Sequence, residues 1–190
     1  HEKTITFLDT PGHESFSSIR ERSTKIADLA IVVISAEEGV KAQTIEAFRA
    51  VTAANLPYLV AINKIDRPAA NVDRTKQSLA ENSILVEGYG GTIPCLPISA
   101  KTGEGIPELL ELILLMAELA GLTITPDIAA SGFVLEAARH PKVGIITTLI
   151  IKDGSLHLGD FLVVGSIIGR IKKLENFRGE NIFRLQASSP

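Results

Sequence analysis

The chain has 190 residues, 45% of them hydrophobic and 22% charged, the balance of a soluble globular protein with room for one large domain or a medium domain and a small one. Its longest apolar runs, residues 29–34 and 112–117, fall far short of the roughly 20 residues that a bilayer-spanning helix needs, and no basic-then-apolar leader opens it, so a cytosolic protein without membrane contact is expected. The net charge of −3 is unevenly spread: residues 1–130 hold 11 Lys/Arg against 17 Asp/Glu and residues 131–190 hold 8 against 5, so the mildly basic tail either meets a polyanion or is ordinary variation.

His1 stands where a complete chain has methionine, and the residues after it already read as a strand in progress, so the sequence is expected to be an excerpt. Strands are predicted at residues 5–8, 29–34, 58–62 and 93–98. Between them lie helical patterns at 43–54, 72–82 and 106–119, the last with Leu109, Leu110, Ile113 and Met116 at helical spacing. Near-continuous apolar strands alternating with helices predict an α/β fold in which a parallel sheet is buried on both faces. Asn71 is placed to cap the second helix, and Pro107 to sit in the first turn of the third. The single cysteine, Cys95, cannot form an intramolecular disulfide and falls in the fourth strand as a small buried hydrophobe.

Residues 123–131 contain Pro126 and show no helical or long strand period, and they read as a linker. Beyond it, β-rich runs at 133–138, 144–151, 161–164 and 167–174 are separated by Lys152-Asp153-Gly154 and Gly159-Asp160. Turn signals so closely spaced predict a small barrel or sandwich over residues 132–190, after a first domain over 1–122.

Three motifs each follow an apolar strand. The first is Asp9, Thr10, Pro11, Gly12 and His13. A carboxylate at the C-terminal end of a parallel strand points into the crevice where α/β sheets bind ligands, and Asp9 there can hold magnesium through a water. Gly12 lets its N–H approach a terminal phosphate, and His13 is placed to orient an attacking water.

The second motif is Asn63, Lys64, Ile65 and Asp66. A carboxylate in the base plane accepts hydrogen bonds from the N1–H and 2-amino group of guanine, whereas adenine would leave Asp66 desolvated and unpaired. The stem of Lys64 can lie along the purine face, and Asn63 can tie neighbouring loops together. The third motif is Ser99, Ala100 and Lys101, where the Ala100 N–H can donate to guanine O6 and Lys101 can pack over the base from the other side. Each motif is weak alone; their order, each at the end of its own strand, points to a guanine-nucleotide site.

With these boxes the chain resembles a translational GTPase, most closely the bacterial-type translation initiation factor two family. The stretch from Asp9 through Ser15-Phe16-Ser17-Ser18-Ile19-Arg20, the run Gln43-Thr44-Ile45-Glu46-Ala47, the loop Glu87-Gly88-Tyr89-Gly90-Gly91 and the segment from Ala130 to Asp160 carry the resemblance over nearly all of the chain. It implies an incomplete P-loop-GTPase-like sheet followed by a partial barrel, GTP or GDP with magnesium as cofactors, and the ribosome, through rRNA and ribosomal proteins, as partner. Initiator tRNA would be bound through domains outside this sequence. It also implies that His13 becomes effective only when the ribosome positions it, with low intrinsic turnover.

No Gly-x-x-x-x-Gly-Lys-Ser/Thr occurs in the sequence, and in the resembled family that loop and the first switch precede the position of residue 5. Its strand lies between those at 5–8 and 29–34, so a gap in the sheet, abnormal edge pairing or instability is expected, with guanine binding weak and nearly indifferent to phosphate number. Two other readings stay open: a Tu-type or other tRNA-delivering GTPase, and a non-hydrolysing ribosome-binding module. For the latter, Arg170 and Lys172 would share one strand face with Lys173 opposite, offering a phosphate contact or only a solvated face.

Overall fold

A computed structural model describes residues 4–10 and 23–187. They fall into two compact units: one is Leu8–Leu122, and the other is Thr123–Pro190 together with the residues up to Phe7.

The first unit runs β1 (Ala30–Ser35), α1 (Ala42–Ala53), β2 (Tyr58–Asn63), α2 (Val72–Glu81), β3 (Cys95–Pro97) and α3 (Ile106–Leu119). β2 lies between β1 and β3 and is parallel to both, with Ala30 opposite Tyr58, Ser35 opposite Asn63, and Val60 opposite Cys95. Its Leu59, Val60, Ala61 and Ile62 are wholly buried, as the unbroken apolar run anticipates for a strand with neighbours on both sides. β1 departs from that expectation: Val32 and Ile34 are buried, but Val33 between them is 59% exposed. Among the described residues β1 is an edge strand, so its alternating side chains see core and solvent in turn.

Val32, Ile34, Val60 and Ile62 pack with Phe48 and Val51 of α1 and Leu79 of α2 into the main core. Tyr58 adds an edge-on ring contact with Phe48, centroids 5.8 Å apart. α2 begins at Asn71, whose side chain accepts the Arg74 N–H at 2.9 Å as expected of a cap. α3 begins after Gly105, with Pro107 in its first turn and Leu109 and Ile113 buried. Of the other two residues assigned to that face, Met116 is half-buried and Leu110 is 38% exposed.

The strand expected at 93–98 shortens to three residues. Pro94 and Pro97 lack N–H groups, and they are tolerated before and at the end of β3 because among the described residues it is an edge strand paired with β2 alone. Cys95 is half-buried, and that burial pushes its thiol pKa up.

The strand expected at 5–8 is not formed. Residues 4–10 carry no ladder, Phe7 is 62% exposed, and the segment up to Phe7 belongs to the second unit. An isolated extended run has no free-energy reason to become a strand, since its N–H and C=O groups need a neighbour to bond. Among the described residues no strand pairs with the outer edge of β1.

The second unit is three antiparallel pairs: β4 (Ser131–His140) with β5 (Gly144–Asp153), β6 (Ser155–His157) with β9 (Arg184–Gln186), and β7 (Phe161–Val164) with β8 (Ile167–Arg170). Ile151, Leu156, Leu174, Leu185 and Ala187 form its small core. Gly165-Ser166 makes the two-residue turn between β7 and β8, with Gly165 at φ +59°, the left-handed start that hairpin twist favours. Gly132 is required where β4 crosses β5, because a Cβ there would stand 2.0 Å from Ile150 O.

The stretch read as a linker is bound into this unit: Asp153 Oδ1 accepts the Thr125 N–H, Ser155 Oγ donates to Pro126 O, and Ala129 bridges to Ser155. β6 and β9, three residues each, were not anticipated. The run expected at 167–174 ends at Arg170, so Arg170 and Lys172 do not share a strand. Arg170 instead donates its Nε–H to Gly159 O at 3.0 Å, and Lys173 pairs with Glu175.

Candidate functional site

β2 and β3 run parallel, so the loops that follow them leave the same edge of the sheet. Main-chain bonds continue the ladder beyond the strands and hold the two loops together: Ile98 N–H donates to Ile62 O at 2.8 Å, and Ile65 N–H to Ile98 O at 3.3 Å. On the other side Ala36, just after β1, donates to Asn63 O at 2.8 Å. The second and third motifs are thereby brought together by the sheet itself.

Asn63 Oδ1 accepts two N–H groups, that of Lys64 at 2.7 Å and that of Ala100 at 3.0 Å. This is the loop-tying role expected of Asn63. It also revises the expectation for Ala100, whose N–H is donated to Asn63 rather than left pointing at a ligand. The tight turn puts Lys64 in the left-handed region at φ +68°, a conformation that costs a non-glycine residue roughly 1–2 kcal/mol and that the surrounding bonds must hold in place.

Ser99 is wholly buried. Its Oγ donates to Asp66 Oδ1 at 2.8 Å and accepts the Thr102 N–H at 3.1 Å, while its backbone is closed by Ser99 N–H to Glu104 O and Gly103 N–H to Ser99 O. Ser99 therefore holds the Asp66 carboxylate from a buried position. The hydroxyl is the first cause of an Asp66 pKa held below the ordinary 3.8; burial opposes it, and Lys101 and Arg67 add to the lowering. The shift favours the ionised carboxylate, which only accepts hydrogen bonds. The side chain of Ile65, between Lys64 and Asp66, packs against the main core.

Glu38, in the turn after β1, lies 3.9 Å from Lys64 Nζ. Sequence reasoning missed it; the only available signal was its position just past a strand end on the same edge.

The phosphate side is different. Pro11, Gly12 and His13 lie outside the described residues. Thr10 and an exposed Asp9 are described, but they follow a segment that forms no sheet strand. Among the described residues no three His, Cys, Asp or Glu side chains gather as metal ligands. Asp9 by itself does not make a magnesium site.

The model of the elongation factor Tu GTP binding domain matches residues 1–118. The chain belongs to that family. Curated relatives within reach of this GTP-binding-domain chain are named translation initiation factor IF-2: one from Alkaliphilus metalliredigens is 48% identical over 182 residues, 96% of this chain and 26% of that protein, and one from Clostridium botulinum is 46% identical over 188 residues, 99% and 27%. The resemblance to initiation factor two is borne out. The chain spans about a quarter of the length of these relatives. Solved structures agree on the fold: GDP-bound aIF5B from Aeropyrum pernix superposes with a TM-score of 0.75 at 28% identity, covering 96% of this chain and 39% of that one. Translation elongation factor SelB from Methanococcus maripaludis, with a GTP analogue, gives 0.74 at 29%, covering 95% and 40%. No helix among the described residues is long and apolar enough to cross a membrane.

Proposed function

We propose that this chain is the base-reading portion of a GTP-binding translation initiation factor, with Asp66 selecting guanine over adenine. The observation that carries the reading is the hydrogen-bonded set in which Ser99 aims Asp66 while Asn63 binds Ala100. Asn63 and Asp66 frame the base edge, the stems of Lys64 and Lys101 offer apolar surface for its two faces, and Ser99 supports from behind. The longer protein, on this reading, places initiator tRNA and joins ribosomal subunits in the cytoplasm, and His13 positions the water that hydrolyses GTP. The identities of the IF-2 relatives support the initiation factor over a Tu-type or SelB-like tRNA carrier, whose neighbours share the fold.

Asp66→Asn tests the reading. An amide there presents N–H groups to the guanine donors, so affinity for guanosine diphosphate should fall by about 100-fold or more. Xanthosine diphosphate, which carries a carbonyl in place of the 2-amino group, should gain in compensation. Titration calorimetry showing unchanged guanine preference in the variant would reject Asp66 as the reader.

A further inference from the structure

Glu38 stands outside the loops that read the base, yet it reaches them. It sits in a turn after β1 braced from several directions: Ala36 N–H donates to Asn63 O, Asn71 N–H to Ala36 O, and Gly39 N–H to Ser35 O. The buried Thr75 hydroxyl adds a bond to Asn71 O at 3.0 Å and a longer one to Ala36 O at 3.5 Å. Gly39 takes φ +65°, a conformation that lets the chain double back here.

The carboxylate on this braced turn spans two lysines. One oxygen lies 3.9 Å from Lys64 Nζ and the other 3.8 Å from Lys41 Nζ. Lys41 is the N-cap residue of α1, where its N–H donates to Thr44 Oγ1, so that end is anchored to a helix. Lys64 is constrained at its other end as well, by the left-handed backbone that Asn63 Oδ1 holds. Its four-carbon stem is therefore tethered at both the Cα and the ammonium.

We propose that Glu38 is a positioning residue for guanine recognition, holding Lys64 so that its stem forms a ready apolar wall for one face of the base. The inference rests on the guanine-site reading above and deepens it. A lysine with a free ammonium samples many rotamers and loses that freedom when a ligand settles against it; a tethered one has lost part of it beforehand. All three side chains are about half exposed, so the pair adds little to fold stability, and its effect belongs to ligand affinity.

The test measures binding of guanosine diphosphate to the full chain, with adenosine diphosphate as control. Glu38→Gln should weaken guanosine diphosphate binding by about 2- to 5-fold, the range expected of one surface ion pair, with the thermal unfolding midpoint unchanged. The difference should shrink as salt approaches about 1 M, where the screening length falls to roughly 3 Å. In a Lys64→Met background, which keeps an unbranched stem without the charge, Glu38→Gln should change nothing. Equal affinities of wild type and Glu38→Gln, or the same loss with Lys64→Met in place, overturn the proposal and leave the guanine site standing. A wild-type chain that binds both diphosphates alike overturns the site reading and this inference with it.

Discussion

The run at residues 58–62 and the run at residues 5–8 look alike as sequence, each a short apolar stretch leading to a polar turn that carries an aspartate. In the structure the first is the middle strand of a sheet, buried from Leu59 to Ile62, and its turn is fixed by bonds to two other loops. The second forms no strand ladder among the described residues, and the Asp9 that follows it is exposed. What separates them is not propensity but neighbours. A strand is stable through its ladder, and a strand-end loop inherits its precision from the strand. Base recognition is legible in the folded unit because β1 and β3 flank β2; the phosphate side has no such frame among the described residues.

That contrast is breakable at its strong end first. Ile62→Ala should destabilise the first unit by about 2–5 kcal/mol, the usual penalty for emptying a buried aliphatic site, and denaturant unfolding measures it. A loss under about 1 kcal/mol would mean that β2 is not the rigid support described.

Ser99→Ala probes the next level. It leaves the Asp66 carboxylate and the Thr102 N–H without their shared hydroxyl, so guanosine diphosphate affinity near neutrality should fall about tenfold. The pH dependence follows from the direction of the shift. Asp66 has a lowered pKa in the folded state, so its contribution is present above the ordinary 3.8 and fades only as pH drops through the lower folded value. In Ser99→Ala that fading should move up in pH, visible as a raised midpoint for the Asp66 carboxyl in an NMR titration; an unmoved midpoint would remove Ser99 from the account.

At the weak end, Phe7→Ser should alter stability by no more than about 0.5 kcal/mol, since the side chain is largely exposed and its segment carries no ladder. A cost above 2 kcal/mol in the same denaturant assay would show that this segment is held far more firmly than its contacts suggest.

The sequence was a good guide wherever local chemistry decided the outcome. Asn71 caps α2, Pro107 opens α3, and the α3 boundaries are as periodicity predicts, because caps and helical faces depend on residues three or four apart. It was a poorer guide wherever the answer lay in another segment. Val33 reads like Val32 but faces out, since burial of a strand face depends on what covers it. β6 and β9 are too short to show a period and form by pairing with each other. At the candidate site, the motif spacing nominated the residues; it did not reveal that Ser99 bonds to Asp66 from a buried position, that Ile65 packs on the core, or that Ala100 gives its N–H to Asn63. Those are facts of three dimensions.

One oxygen, Asn63 Oδ1, joins loops 37 residues apart in the chain. It follows that the base reader cannot be moved as a cassette. Grafting Asn-Lys-Ile-Asp onto the end of another parallel strand would transplant the carboxylate without its aim, because the aim is stored in a neighbouring strand's loop. A protein engineer borrowing this specificity would have to take both strand ends, with their spacing and register, or leave the recognition behind.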